Sequence, residues 1–276
     1  MGRIITLTTD FGLVDGFVGT MKGVILSINP DVTLVDITHD IRPQNIAQGA
    51  FLFANAAKYF PANAIHVVVV DPGVGSARRA IAVQAGETIY VAPDNGVLSW
   101  AIRNVRSEIE SPLSPLQFPI RVVHLNKTAY WLPRVSNTFH GRDIFAPVAA
   151  HLSLGVALKA LGDPIDNWVR LSGCEAAFRA GDEIAGRVVH IDRFGNIITN
   201  VEEQMLAAMD RTLISIRVAG RQTRGLKATY SDVATGQMIA LIGSTGQLEL
   251  ALRDGNAAAA LGASIGDAVS VTLDMD

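Results

Sequence analysis

The run Ile65–Val70 constrains this chain more than any other segment. Apart from His66 it is wholly aliphatic, and it gives way at once to Asp71-Pro72-Gly73. A strand with one wet face alternates apolar and polar residues; one that does not alternate is buried on both faces. Strands of that kind belong to mainly parallel sheets with helices on either side. The neighbouring segments agree. Ile4–Thr9, Val32–Ile37, Ala80–Val83 and Thr88–Ala92 read as strands, and Phe17–Ile28, Asn45–Tyr59, Val97–Arg103 and Ile144–Leu154 as helices. Asn29-Pro30 and Phe60-Pro61 stop the first two helices, because proline cannot continue one.

The character changes near Leu161. After an irregular stretch, short glycine-punctuated strands dominate: Ile184–Asp192, Leu213–Val218, Met238–Ile242, Leu248–Leu252 and Ala268–Leu273, with one helix-like segment at Glu202–Met209. That pattern predicts a compact antiparallel β-domain or barrel. The expected fold class is α/β. An N-terminal domain (1–164) carries a mainly parallel sheet flanked by helices, a linker covers 165–182, and a smaller antiparallel β-barrel-like domain fills 183–276.

Composition excludes several classes. Of 276 residues, 49% are hydrophobic and 18% charged, enough for a buried core and opposite to the balance of disordered chains. The net charge of −3 is spread without runs of either sign, so the basic footprint of a nucleic-acid binder is missing. Cys174 is the single cysteine, which rules out an internal disulfide framework or a cysteine-based zinc cluster. The N-terminus enters a strand with no hydrophobic signal region, and no apolar run approaches the ~18 residues of a membrane span. A cytoplasmic protein with no membrane partner is expected.

Polar groups concentrate just past the expected strand ends, where open parallel sheets bind ligands. The segments are Thr8–Gly12, Asp71–Arg78 and Asn137–Asp143, with His190–Asn196 and Ser244–Glu249 in the second domain. Each has a plain structural reading. Asp10 suits a turn or cap, Asp71-Pro72-Gly73 is a good turn sequence, and His140 beside Gly141 suits a hydrogen-bonded structural histidine. Asp10-Phe11-Gly12 lacks the surroundings of a kinase metal triplet, and no phosphate-loop glycine pattern is present. A metallohydrolase built on Asp10, Asp36, His39 and Asp40 rests on spacing alone, without a zinc motif, so no metal is expected.

Taken together, the segments resemble the SAM hydroxide adenosyltransferase family, hydrolases of S-adenosylmethionine (SAM) related to the fluorinase and chlorinase enzymes. The resemblance lies in Thr8–Gly12 with Asp15-Gly16-Phe17, Val35–His39, Val70–Gly75, Ala92–Gly96, Thr138–Pro147, Ile191–Asn196 and Leu248–Ala251. Each is weak alone; seven in family order over nearly the whole chain are highly specific.

The resemblance implies hydrolysis of SAM to adenosine and methionine by water attacking ribose C5′. The expected water-handling set is Asp71, Arg78 and His140, with Arg79 as the neighbouring alternative and His140 as general base. The fluorinase carries tyrosine where this chain has Asp71 and serine where it has Gly141, which points to water rather than halide. Asp10 is expected on the ribose hydroxyls and Asn196 on the adenine edge. Tyr230, or less readily Phe194, would stack on the ring, with Glu249 at the purine end. Asp192 would meet the methionine ammonium and Ser244 its carboxylate. These residues come from both domains, so the resemblance implies a site at a domain or subunit interface and a homotrimer. No cofactor is required, because the sulfonium is already activated. The alternatives are a sister enzyme using another nucleophile and a non-catalytic adenosine- or SAM-binding module.

Overall fold

The computed structural model describes residues 2–110 and 118–274. The chain divides into two compact units, Met1–Leu171 and Ser172–Asp276.

In the first unit, β1 (Ile4–Thr9), α1 (Phe17–Ile28), β2 (Thr33–Thr38), α2 (Ile46–Ala57) and β3 (Ile65–Val69) alternate in sequence. Then come β4 (Ala80–Ala85), β5 (Thr88–Pro93), α3 (Ser99–Glu110), β6 (Ile120–His124), α4 (Ala146–Ser153) and the two-residue β7 (Asp163–Pro164). The strand order is β2-β1-β3-β5-β4-β6-β7. β2, β1, β3 and β5 pair in parallel, while β4, β6 and β7 join antiparallel. The antiparallel part has a local cause. Only Gly86 and Glu87 separate β4 from β5, and a connection that short closes a hairpin, with Gly86 supplying the positive φ of 61°.

Helices cover both faces of the sheet, α1 packing with α4 and α2 with α3. Every residue of β3 is buried, as its unalternating sequence requires. Its one polar member, His66, is satisfied in place: Nδ1 lies 2.7 Å from Thr6 Oγ1, and the ring stacks on Tyr90 at 5.4 Å between centroids. Burial pushes the His66 pKa down to about 4, so the ring is neutral in the core. Chain order places β2 on one side of β1 and β3 on the other. The carboxyl ends of β1 and β3 therefore flank a switch point, where such sheets bind ligands. Asp10 and Asp71 follow these two ends.

The second unit contains β8 (Phe178–Ala180), β9 (Glu183–Ile191), β10 (Ile197–Glu202), α5 (Glu203–Leu206), β11 (Ile214–Val218), β12 (Arg221–Arg224), β13 (Leu226–Lys227), β14 (Met238–Ile242), β15 (Gln247–Leu252), α6 (Ala257–Leu261) and β16 (Ala268–Leu273). The order is β12-β11-β16-β9-β10-β15-β14-β13, with β8 on β9, and β12 comes back beside β14 to leave a nearly closed barrel. All pairs are antiparallel except β13 with β14. Where a helix was expected over Glu202–Met209, only the single turn α5 forms. The strand β10 was not anticipated. It buries Thr199 and Asn200, and pays for that with hydrogen bonds: Thr199 Oγ1 donates to Leu248 O at 2.9 Å, and Asn200 Oδ1 accepts from Arg187 N at 2.7 Å.

His66 gives a pH test. Its folded pKa of about 4 lies below the usual 6.5, so the unfolded chain binds the proton more tightly. This contribution is intact above pH 6.5, declines below it, and is fully lost near pH 4. At about 1.4 kcal/mol per pH unit the loss approaches ~3 kcal/mol. Denaturant unfolding at pH 7 and pH 5 should show a larger decline for wild type than for His66→Gln; equal declines would contradict the assignment.

Candidate active site

Arg78 organises the polar cluster past the end of β3. Its Nε donates to Asp71 Oδ1 at 2.9 Å and its Nη2 to Asp71 Oδ2, a two-pronged contact that matches the planar guanidinium to the carboxylate. Both side chains are at least nine-tenths buried. The same Nη2 lies 2.7 Å from His140 Nδ1. Arginine has only donors, so Nδ1 must be the acceptor, and a neutral His140 carries its proton on Nε2. Burial and then the Arg78 cation lower the His140 pKa, while Asp71, Asp143 and a backbone contact with Ser136 act weakly against them.

A close approach and a distorted helical turn hold the segments that carry these groups. Gly75, at φ 77°, lies so near Asn137 that an added Cβ would sit 2.3 Å from the Asn137 carbonyl oxygen. His140 leads into a π-helical turn, Gly141–Phe145, that joins α4 directly. Such turns insert one extra residue into a helix and cluster at functional sites. Phe139, the residue before His140, packs edge-on with Phe11 and Phe17, which are tilted to each other, with centroids 5.2–5.9 Å apart.

Arg79 faces elsewhere. It donates to Asp94 Oδ2 at 2.8 Å and to the Asn167 side chain and carbonyl, so Arg78 is the arginine brought to Asp71 and His140. Asp10 stands at the end of β1, where Oδ2 accepts from Gln44 N at 2.7 Å. Gln44 has a positive φ of 66°, unusual for a residue other than glycine. Sequence reasoning missed it because its contribution is a backbone N–H, which no side-chain pattern reports.

The second unit gathers the remaining candidates. Asp192 Oδ1 accepts from the backbone N–H groups of Phe194 (2.8 Å) and Asn196 (2.9 Å), and Oδ2 accepts from Asn196 Nδ2 at 3.0 Å. Tyr230, half exposed on a 3-10 turn, donates its hydroxyl to Glu249 Oε1 at 2.5 Å. Glu249 is buried on β15; burial first, then the nearby Asp192 charge, raises its pKa. The Tyr230 phenol is also pushed up, by burial and by Glu249. Ser244 is exposed in the turn between β14 and β15. Phe194 is exposed as well.

The metallohydrolase reading finds no support in the site's arrangement. His39 faces Thr9 and Asp36, and Asp36 meets Lys22. Among the described residues, no group of three or more His, Cys, Asp or Glu side chains could hold a metal ion.

Comparison with known proteins closes the case for the family. The model of the SAM hydroxide adenosyltransferase N-terminal domain matches residues 5–162, and that of the C-terminal domain matches residues 186–270. This chain belongs to the SAM hydroxide adenosyltransferase family. It is 39% identical over 273 residues to the (R)-S-adenosyl-L-methionine hydrolase of Salinispora tropica, covering 97% of each chain. It is 34% identical to the enzyme of the same name from Methanocaldococcus jannaschii, covering 97% of this chain and 95% of that one. Fluorinases are more distant, at 27% identity for that of Nocardia brasiliensis. A crystal structure of an uncharacterized conserved protein from Thermotoga maritima superposes with a TM-score of 0.85 at 31% identity, covering 97% of this chain and 99% of that one.

The shared cation gives a direct test. In a histidine titration followed by NMR, His140 should titrate below 6.5, and Arg78→Gln should raise its pKa by removing the opposing charge. Arg79→Gln should leave it in place. An unmoved His140 in the Arg78 variant would contradict the geometry.

Proposed function

We propose that the protein hydrolyses SAM to adenosine and methionine by direct attack of water on ribose C5′. The observation that carries this reading is Arg78 held between Asp71 and His140, in a family member whose curated relatives are named SAM hydrolases.

In the reaction an oxygen–C5′ bond forms as the C5′–sulfur bond breaks. The electron pair leaves on sulfur as a neutral thioether, so no general acid is needed. One water proton must be accepted. With Nδ1 already receiving Arg78, the neutral His140 ring has no free acceptor nitrogen, and we assign the base role to Asp71 instead. Each Asp71 oxygen keeps a lone pair beyond its bond to Arg78 and can take a water proton, a contribution of about 10²–10⁴-fold for a positioned base. Arg78 stabilises the hydroxide that develops, and His140 fixes the direction of the guanidinium. The phenylalanine cluster keeps the neighbourhood apolar, which strengthens these charge interactions.

Two features support water over halide. The Asp71 carboxylate repels an approaching anion. At Gly141 an added Cβ would stand 3.1 Å from Met21 Sδ and 3.2 Å from Phe139 Cε2, so a serine fits only if those side chains shift. In the second unit, the Asp192 and Glu249 carboxylates suit a cationic substrate, and Tyr230 offers an exposed ring for adenine. Asn196, with Nδ2 on Asp192, keeps one N–H and its Oδ1 for the adenine edge. Ser244 is assigned to the methionine carboxylate. The proposal includes the family-like homotrimer, which mass photometry would check. It also includes a cytoplasmic location, where a charged substrate that does not cross bilayers is met.

SAM incubated with the protein in H₂¹⁸O should yield adenosine and methionine in step, with ¹⁸O on the adenosine 5′ position. Added halide should yield no halogenated nucleoside. Asp71→Asn should lower turnover at least ~100-fold. Intact SAM would overturn the reading in favour of a binding module.

A further inference from the structure

His39 is a buried, titratable side chain that the reaction leaves unused. It is 4% exposed, at the end of β2. Its Nδ1 lies 2.8 Å from Thr9 Oγ1, and its Nε2 lies 3.1 Å from Asp36 Oδ1. Lys22 of α1 holds the other Asp36 oxygen at 2.6 Å.

Donor and acceptor roles follow from the chemistry. The Asp36 carboxylate near Nε2 favours the proton on that nitrogen, although the pair lacks hydrogen-bond geometry, and in that tautomer Nδ1 accepts from the Thr9 hydroxyl. Thr9 Oγ1 in turn accepts from Phe11 N at 3.2 Å. The His39 carbonyl also takes Gly12 N at 2.8 Å. Side chain and backbone of one residue thus hold Thr9 and Gly12, on either side of Asp10, and reach Phe11 through Thr9. Asp10 itself is held at Oδ2 by Gln44 N. Among the described residues Oδ1 has no hydrogen-bond partner, and its angle is set by the turn.

We propose that His39 is a positioning residue for ribose recognition. Through Thr9 it fixes the Asp10 turn, so that the free carboxylate oxygen meets the ribose hydroxyls in one orientation. The inference rests on Asp10 as the ribose ligand. A carboxylate that pivots still binds charge, but it no longer discriminates sharply between a hydroxyl and its absence.

The test compares SAM with its 2′-deoxy analogue in wild type and in His39→Ala, His39→Asn and His39→Gln, alongside thermal melting and adenosine calorimetry. Wild type should prefer SAM by kcat/KM. His39→Ala should raise KM for SAM about tenfold, the worth of one to two hydrogen bonds, with kcat within about threefold of wild type. It should also collapse the preference for the hydroxylated substrate. Asparagine can place an amide near the Nδ1 position and should restore the preference; glutamine reaches only towards Asp36 and should not. A lowered melting temperature with the preference intact would make His39 merely structural and overturn the proposal. A wild type that binds adenosine and 2′-deoxyadenosine equally would overturn the ribose reading of Asp10 instead, and with it this inference.

Discussion

The Asp71–Arg78 contact is the interaction on which the candidate site depends. Two opposite charges are withdrawn from water at the end of a fully buried strand, at a cost that only good geometry offsets. Removing one partner from such a pair typically costs about 3–5 kcal/mol, because the other charge is left uncompensated. The same guanidinium also reaches His140, 62 residues further on, so a single cation ties the loop after β3 to the helix that follows the Asn137 segment. The close fit of Gly75 against the Asn137 carbonyl has the same effect without charge. The chemistry and the local fold thus share their supports.

Much of this was legible in the sequence, for physical reasons that differ by element. β3 was readable because burial on both faces removes alternation, and α1 and α2 because their apolar spacing ends at prolines. The mixed pairing of the first sheet was harder, since a two-residue hairpin around Gly86 turns one strand round without changing its composition. β10 escaped notice because Thr199 and Asn200 look like loop residues until their hydrogen-bond partners are known. Propensity scales value such side chains as exposed; here the partners come from far along the chain.

The candidate site shows a similar division. Asp71, Arg78 and His140 were nameable from motifs in family order, but the choice between Arg78 and Arg79 needed coordinates, because adjacent arginines diverge to Asp71 and to Asp94. Direction of bonding was also invisible. Nothing in the letters says that Arg78 occupies an imidazole nitrogen that a base would use. Backbone donors such as Gln44 N–H leave no trace in residue identity. In the second unit, three bonds from Phe194 and Asn196 hold Asp192, and Tyr230 stands tethered to Glu249, so those side chains are oriented before any ligand arrives.

The π-helical turn at Gly141–Phe145 bears on how this protein can change over time. One residue more than a regular helix would use has been wedged between His140 and the buried face of α4. Ala146, Val148, Ala149 and Leu152 are locked into the core, so that end of the helix cannot rotate. Deleting a residue from the wedge would restore ordinary helix geometry, yet it would swing His140 by roughly 100° about the axis and away from Arg78. A one-residue deletion in this stretch is therefore a trap for a lineage: a better-formed helix with its imidazole on the wrong side.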